Sequence, residues 1–331
     1  MDYKVSQLRQ DAVSGDWIVI STERGKRAME IIKKRGKRKI ESKSKCPFED
    51  LTKSGNSEPI LIYEKNGQWD IAVIENKFPA FRYKNNCKIS FKSNFFPVMD
   101  AVGHHDLVIT RDHNKNFGQI SLEDAVKTFK IFQERYKMFA KEKCISYVSI
   151  FHNWGARAGA SVYHPHSQII AVPVIPPDVA HSLRGSHNFW AKNKKCVHCV
   201  SVNKELKEKS RVIYRNKSAV VFAPFVSKEP FEARIFPKKH LPYFEDTQEK
   251  DLRGVVEALQ FILKKITKNL NDSDYNFFIH TAPIKDKKKY RHYHWHIEIV
   301  PKTTLDAGFE LSTGMEINVV DPDEAAKILR K

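Results

Sequence analysis

Residues 147–173 repeat in residues 275–301 without a gap, and this repeat constrains the fold more than any other feature of the chain. YVSIFHNWGARAGASVYHPHSQIIAVP aligns on YNFFIHTAPIKDKKKYRHYHWHIEIVP at a constant offset of 128 (275 − 147). His152 falls on His280, His164 on His292, His166 on His294 and Pro173 on Pro301. Self-similarity at one offset is what duplication of a structural unit leaves behind. Two related halves are predicted, 1–185 and 186–331, with the boundary near residues 183 to 200. Short apolar runs read as strands at 17–20, 69–74, 106–110, 147–151, 219–223, 233–236 and 276–279. Helical periodicity runs from Ser121 to about Glu142 and from Gln248 to about Asn269, and a short helix is predicted after Asp321. The prediction is an α+β fold of antiparallel sheets with flanking helices.

No apolar run approaches the roughly 20 residues that a membrane-spanning helix needs. The first residues also lack the apolar core of a signal peptide. The expectation is a cytoplasmic chain that avoids membranes. Its net charge of +18 over 331 residues calls for an anionic partner. That partner is nucleic acid, membrane or a phosphorylated metabolite; the basic runs at 33–39 and 287–289 read as solvated loops, and they are not interleaved with aromatic residues as a nucleic-acid footprint would be. Five cysteines, an odd number, argue against a disulfide framework and favour metal ligation.

The chemistry concentrates between Gly155 and Gln168. Residues two apart in a strand share a face, so His164, His166 and Gln168 are predicted to project together. Gly155, Gly159 and Ser161 precede them. Glycine lets the backbone approach a phosphate oxygen, and free N–H groups with a hydroxyl bind it. A neutral imidazole attacks phosphorus and also leaves it readily, so a histidine can carry a nucleotidyl group. In the second copy three alternating histidines remain (His292, His294 and His296), but residues 283–289 before them contain no glycine. Metal binding and packing are the uses predicted there.

His164-Pro165-His166-Ser167-Gln168, behind an Asn-x-Gly-x-x-x-Gly-x-Ser loop, resembles the galactose-1-phosphate uridylyltransferase family of the histidine-triad superfamily. The resemblance extends through Arg9 to Arg27, Cys46-Pro47-Phe48, Asn76 to Ala80, Arg111-Asp112-His113 and Thr313 to Asn318. It implies duplicated histidine-triad-like halves and a homodimer in which the partner helps complete the site. It also implies a uridylyltransferase of galactose metabolism. His166 would attack the α-phosphorus of UDP-glucose, and a hexose 1-phosphate, typically galactose 1-phosphate, would then take UMP from the uridylyl-histidine. Gln168 would donate hydrogen bonds to phosphoryl oxygens.

The resemblance further implies that Asn153, Gly159 and Ser161 meet sugar and phosphates, that Asn76 lies on the nucleotide side, and that Arg24 and Arg27 hold the diphosphate. Lys77 departs from the family, where an acid at this position contacts ribose. One zinc site would comprise Cys46, Glu49, His113 and His164, with Glu49 standing where the family has a second thiolate. A second would comprise Cys196, Cys199, His240 and His294. Glu316 would bind hexose hydroxyls. The alternative on the same scaffold is a nucleoside-diphosphate-sugar phosphorylase of ADP-glucose type, with inorganic phosphate as acceptor. A nucleic-acid-binding protein on a dead scaffold is the remaining alternative, and the intact His164-to-Gln168 motif argues against it.

Overall fold

The computed structural model describes residues 5–25, 30, 32, 36, 38–84, 87–88, 90–92 and 95–331. The strands are β1 (Gln7–Gln10), β2 (Trp17–Ile20), β3 (Leu61–Lys65), β4 (Gln68–Glu75), β5 (Ser90–Lys92), β6 (Phe96–Val98), β7 (His104–Thr110), β8 (Tyr147–Trp154), β9 (His166–Val172), β10 (Val212–Arg215), β11 (Ala219–Phe222), β12 (Ala233–Pro237), β13 (Tyr275–His280), β14 (His296–Pro301) and β15 (Ile317–Asn318). Ten of them form one antiparallel sheet in the order β10-β11-β12-β14-β13-β8-β9-β7-β4-β3. The first five strands of that order come from the C-terminal part of the chain and the last five from the N-terminal part. They join where β13 pairs with β8.

The helices are α1 (Leu122–Phe139), α2 (Pro177–Asn193), α3 (Val197–Glu208), α4 (Glu249–Asn269), α5 (Gly308–Thr313) and α6 (Pro322–Arg330). The α+β class and the helices expected near 121–142 and 248–269 are present. α1 starts where Asp124 N–H donates to Ser121 Oγ (3.1 Å), which satisfies one of the N–H groups a helix start leaves open. α4 buries Leu252, Val255, Val256, Leu259, Ile262, Leu263 and Ile266, a stripe that recurs every three or four residues. These side chains share one core with Phe129 and Phe132 of α1 and with Ile150, Ile169, Phe277, Ile297 and Ile299 of the sheet. Each such buried side chain contributes roughly 1.5–3 kcal/mol. α1 and α4 thus cover one face of the sheet; on the opposite face α2 and α3 pack over part of the strands, and the remainder is left for function.

Position 185/186 lies within α2, and α3 follows it. The structure corrects two expectations. Cys87 and Cys144 form a disulfide with Cα atoms 5.7 Å apart; an odd count requires one unpaired cysteine, not five, and folding brings the segment after β4 beside the end of α1. The second correction concerns register. A uniform shift of 128 would carry the β8–β9 pair Tyr147↔Val172 to Tyr275↔Val300. The observed pair is Tyr275↔Pro301. A one-residue slip reverses the faces, so His152 is buried on the helix side, stacked on Phe277, whereas His280 lies against His296 on the other side.

Candidate active site

His166 opens β9, opposite Ile109 of β7. Strand geometry does not reach back to His164, because Pro165 has no N–H to continue the ladder; His164 and His166 face different surroundings. The His164 carbonyl accepts from His166 Nδ1–H at 2.9 Å. Nε2 of His166 is therefore the bare nitrogen, and among the described residues no group donates to it. Burial pushes the imidazole below its ordinary pKa, against the effect of that hydrogen bond, and nearby His105 pushes it the same way as burial. His166 is thus neutral and nucleophilic at neutral pH, with Phe48 edge-on 5.2 Å away. Gln168, two residues on, shares its face, and its Oε1 accepts from His105 Nε2 at 2.8 Å. Asn76 Nδ2 lies 3.1 Å from the same nitrogen. Lys77 turns away from this cluster, with Nζ beside the Ser54 carbonyl.

Asn153 ends the same face on β8. Its Oδ1 accepts from Asn276 Nδ2 (2.8 Å), which also donates to the Ala158 carbonyl (2.7 Å). Between β8 and β9, Gly155 (φ 86°) and Gly159 (φ 83°) flank a 3₁₀ turn, Ala156–Ala158. The N–H of Arg157 is held by Asp274 Oδ2, and those of Ala158, Gly159 and Ala160 by carbonyls of Gly155 and Ala156. This stretch therefore offers phosphate no free N–H groups from 157 to 160, contrary to expectation. Among the described residues, the N–H groups of Ser161, Val162 and Tyr163 make no hydrogen bond, and Ser161 is exposed.

The expected metal ligands converge in two clusters. His164 Nε2–H donates to the Thr110 carbonyl (2.7 Å) and His113 Nε2–H to the Glu41 carbonyl (3.0 Å). That leaves two bare Nδ1 atoms facing each other at 3.3 Å. Cys46 Sγ is 3.4 Å from His164 Nδ1, and Glu49 Oε1 stands 3.3 and 3.7 Å from the two Nδ1 atoms. Glu49 Oε1 is buried without a donor. Lone pairs and a carboxylate oxygen pointing at one another repel unless a cation lies between them. Tetrahedral zinc, with bonds of about 2.0–2.3 Å, sets its ligand atoms about 3.3–3.7 Å apart. Cys46, His113 and His164 fit that group, their ligand atoms lying within 4.8 Å of one another, while Glu49 meets the two histidines but stands outside that set. In the second cluster the ligand atoms of Cys196, Cys199, His240 and His294 lie within 4.8 Å of one another. His240 Nε2–H donates to the Arg291 carbonyl (2.9 Å), which turns Nδ1 toward Cys199 Sγ at 3.2 Å.

The two clusters are counterparts. Cys46, Phe48 and Glu49 correspond to Cys196, His198 and Cys199 (offset 196 − 46 = 150), His113 to His240 (offset 127), and His164 and His166 to His294 and His296 (offset 130). His296 Nδ1–H donates to the His294 carbonyl at 3.1 Å, as His166 does to His164. The His198 ring stands 5.2 Å from His296, as Phe48 does from His166. In the folded chain, then, the counterpart of His166 is His296, not His294, and the counterpart of Gln168 is Glu298. Glu298 is held by Arg234 (3.3 Å) and lies 3.6 Å from His280.

Residues 1–176 match the family model for the N-terminal domain of galactose-1-phosphate uridyl transferase, and residues 93–330 match a domain of unknown function, DUF4921. The chain belongs to the galactose-1-phosphate uridyl transferase family. It is 34% identical to the ADP-glucose phosphorylase of Arabidopsis thaliana over 98% of this chain and 92% of that one. It is 25% identical to the galactose-1-phosphate uridylyltransferase of Thermotoga maritima over 98% of both. The crystal structure of an Arabidopsis thaliana ADP-glucose phosphorylase with bound ADP-glucose superposes with a TM-score of 0.83 at 31% identity, covering 99% of each chain.

Not every residue singled out for this family member gathers at His166. Glu316 lies in a polar cavity of about 370 Å³ lined by Lys228, Arg234, His280, His296 and Glu298, and by none of Asn153, Ser161, His166 or Gln168. Burial, with Asp306 nearby, raises its pKa. Arg24 ends a 3₁₀ turn, Thr22–Arg24, but its side chain and the whole of Arg27 lie outside the described residues. Sequence reasoning missed His105, Asp274 and Asn276, which hold Gln168, the loop and Asn153. Only alternation along 104–110 hinted at His105, by placing it on the face opposite Asp106, which is buried against Arg135 of α1. Among the described residues no helix is long and apolar enough to cross a membrane.

Proposed function

We propose that this family member transfers a nucleoside monophosphate from a nucleoside-diphosphate hexose through a covalent nucleotidyl-His166. One observation carries the reading: a buried, neutral imidazole whose Nδ1–H is fixed on the His164 carbonyl, so that Nε2 is bare beside Gln168. Nε2 forms the bond to the α-phosphorus as the bond to the bridging oxygen breaks and hexose 1-phosphate leaves. The His164 carbonyl supports the positive charge that then grows on the ring. An acceptor phosphate oxygen attacks next, and the N–P bond breaks. The amides of Gln168 and Asn153 and the hydroxyl of Ser161 donate to the non-bridging oxygens as their charge rises. Arg24, Arg27 and Asn76 serve the diphosphate and nucleotide, and Gly159 shapes the loop.

Zinc would be held by Cys46, Glu49, His113 and His164 and, separately, by Cys196, Cys199, His240 and His294, cross-linking each half. Holding His164 in place also holds the carbonyl under His166. We further propose that the two units of each chain meet where β13 pairs with β8, and that two chains form a homodimer in which Glu316 serves the His166 of the second copy.

For the donor we place ADP-glucose first, with inorganic phosphate as acceptor. Support comes from the greater identity to a phosphorylase, 34% against 25%, and from Lys77 replacing an acid on the nucleotide side. Glu316 favours the second reading, UDP-glucose with galactose 1-phosphate. Supplying each donor with each acceptor and identifying products decides between them. ADP and glucose 1-phosphate from ADP-glucose plus phosphate is the expected result. Turnover of UDP-glucose plus galactose 1-phosphate alone would reverse the order, and no turnover of either would overturn the reading.

A further inference from the structure

His105 lies on β7 opposite Ile170 of β9 and is 7% exposed. The Ala80 backbone N–H donates to its Nδ1 at 3.2 Å. A backbone N–H cannot be turned round, so this contact fixes the tautomer of the neutral ring: Nδ1 is the acceptor and Nε2 carries the hydrogen. Two side-chain amides approach that Nε2. Asn76 turns its nitrogen toward it at 3.1 Å, its own Oδ1 being taken by Phe78 N–H at 3.0 Å; with Nε2 protonated these two donors face one another without bonding, and Asn76 adds no acceptor. Gln168 Oε1, at 2.8 Å, is the acceptor that remains. With the amide turned the other way, Nε2–H would face two donor nitrogens and have no acceptor.

From this chain of contacts we infer that His105 is a positioning residue: it fixes the Gln168 amide with its oxygen inward and its NH₂ toward the open face beside His166. Among the described residues no protein acceptor takes that NH₂. Asn153 is treated in the same way, its oxygen held by Asn276 and its Nδ2 left, among the described residues, without a protein acceptor. Two amides in one site thus present only donors. That suits the non-bridging oxygens of a phosphoryl group, and it suits poorly any substrate part that must donate. A free amide would offer oxygen or nitrogen nearly equally, and half of those orientations would set a carbonyl against a growing negative charge. Pre-aimed donors avoid that reorganisation as phosphorus is attacked. The C-terminal half lacks this device: Glu298, the counterpart of Gln168, is held by Arg234 and has no donor to aim.

This inference rests on the proposed transfer through His166, and a double-mutant cycle separates the two. Single-turnover labelling of the full chain is followed with base-labelled ADP-glucose, and with UDP-glucose in parallel, for wild type, His105→Phe, Gln168→Ala and the double variant. Melting temperature and zinc content are measured on each. His105→Phe is expected to slow labelling roughly 10- to 100-fold, with little change in the concentration that half-saturates the rate. The double variant should match Gln168→Ala within about twofold, because His105 acts through that amide. If the two effects multiply, or if His105→Phe labels at the wild-type rate, the inference is overturned while the transfer reading stands. If wild type itself does not label, both fall. Should the phenylalanine variant fail to fold, His105→Gln against His105→Glu makes the same test. The first donates an N–H to Gln168 Oε1 and the second, ionised, does not, so faster labelling by the glutamine variant is expected and equal rates overturn the inference.

Discussion

Gly155 shows how narrowly the loop is specified. At φ 86° and ψ 159° it occupies a region open essentially to glycine alone. A Cβ there would also overlap the Asp274 carboxylate and the Arg38 guanidinium, which are paired with each other at 2.7 Å. Gly155→Ala is expected to cost about 2 kcal/mol or more, against about 1 kcal/mol for Gly159→Ala, where the nearest atom is 3.8 Å away. Thermal melting of the two variants checks the ordering. His152 carries a pH signature. Burial pushes its pKa down to about 3, so the unfolded chain binds a proton that the folded chain refuses between the two pKa values. Stability should fall as pH drops below about 6.5, by up to about 1.4 kcal/mol per pH unit. His152→Phe should remove that one-proton slope from denaturant midpoints measured between pH 5 and 7; an unchanged slope would contradict a neutral buried His152. His166, Gln168, Asn153 and the candidate metal ligands were open to a reading of motifs and of the family resemblance. His105 and Asn276 were not, because each reaches its amide from a strand more than 60 residues away, with a contact that only the sheet order creates.

The strands explain what the repeat did and did not disclose. The gapless alignment found the duplicated His-x-His region, yet the two β-pairs differ by one residue in register and the loops between them differ in length. The functional counterparts therefore fall at offsets of 127 for the strand partner and 130 for the histidines. A single offset of 128 lay between these values and matched His166 to His294. The disulfide and α2 escaped notice for a related reason: neither cysteine spacing nor a weak apolar stripe says which surface a segment will meet. The paired clusters give a measurable consequence. Zinc analysis should find about two equivalents per chain in wild type and about one in Cys199→Ala, with a lower melting temperature and retained labelling at His166. Loss of both equivalents in that variant would show that the two halves do not hold their metals independently.

Taken together, the halves place the candidate site on the sheet face opposite α1 and α4, while Glu316 sits on the far half in a different cavity. Its proposed service to a second copy has a direct consequence. His166→Ala and Glu316→Ala, each inactive or slow alone, should regain about a quarter of wild-type activity when mixed under exchange, half the dimers contributing half their sites in a two-fold assembly. Equilibrium sedimentation of the mixture checks that dimers have exchanged, and no recovery despite exchange would confine Glu316 to its own chain. The net charge of +18 adds a long-range attraction for diphosphate donors, so the apparent second-order rate should fall as salt is raised.

The central claim is the covalent step. Incubating the full chain with base-labelled ADP-glucose, and separately UDP-glucose, and mapping the product by peptide mass spectrometry tests it most directly. The account predicts one acid-labile, base-stable nucleotidyl group per chain on His166. It should be discharged by phosphate or a sugar phosphate and be absent from a folded His166→Ala variant. Turnover with no such adduct, or an adduct on His294 or His296 instead, would contradict it.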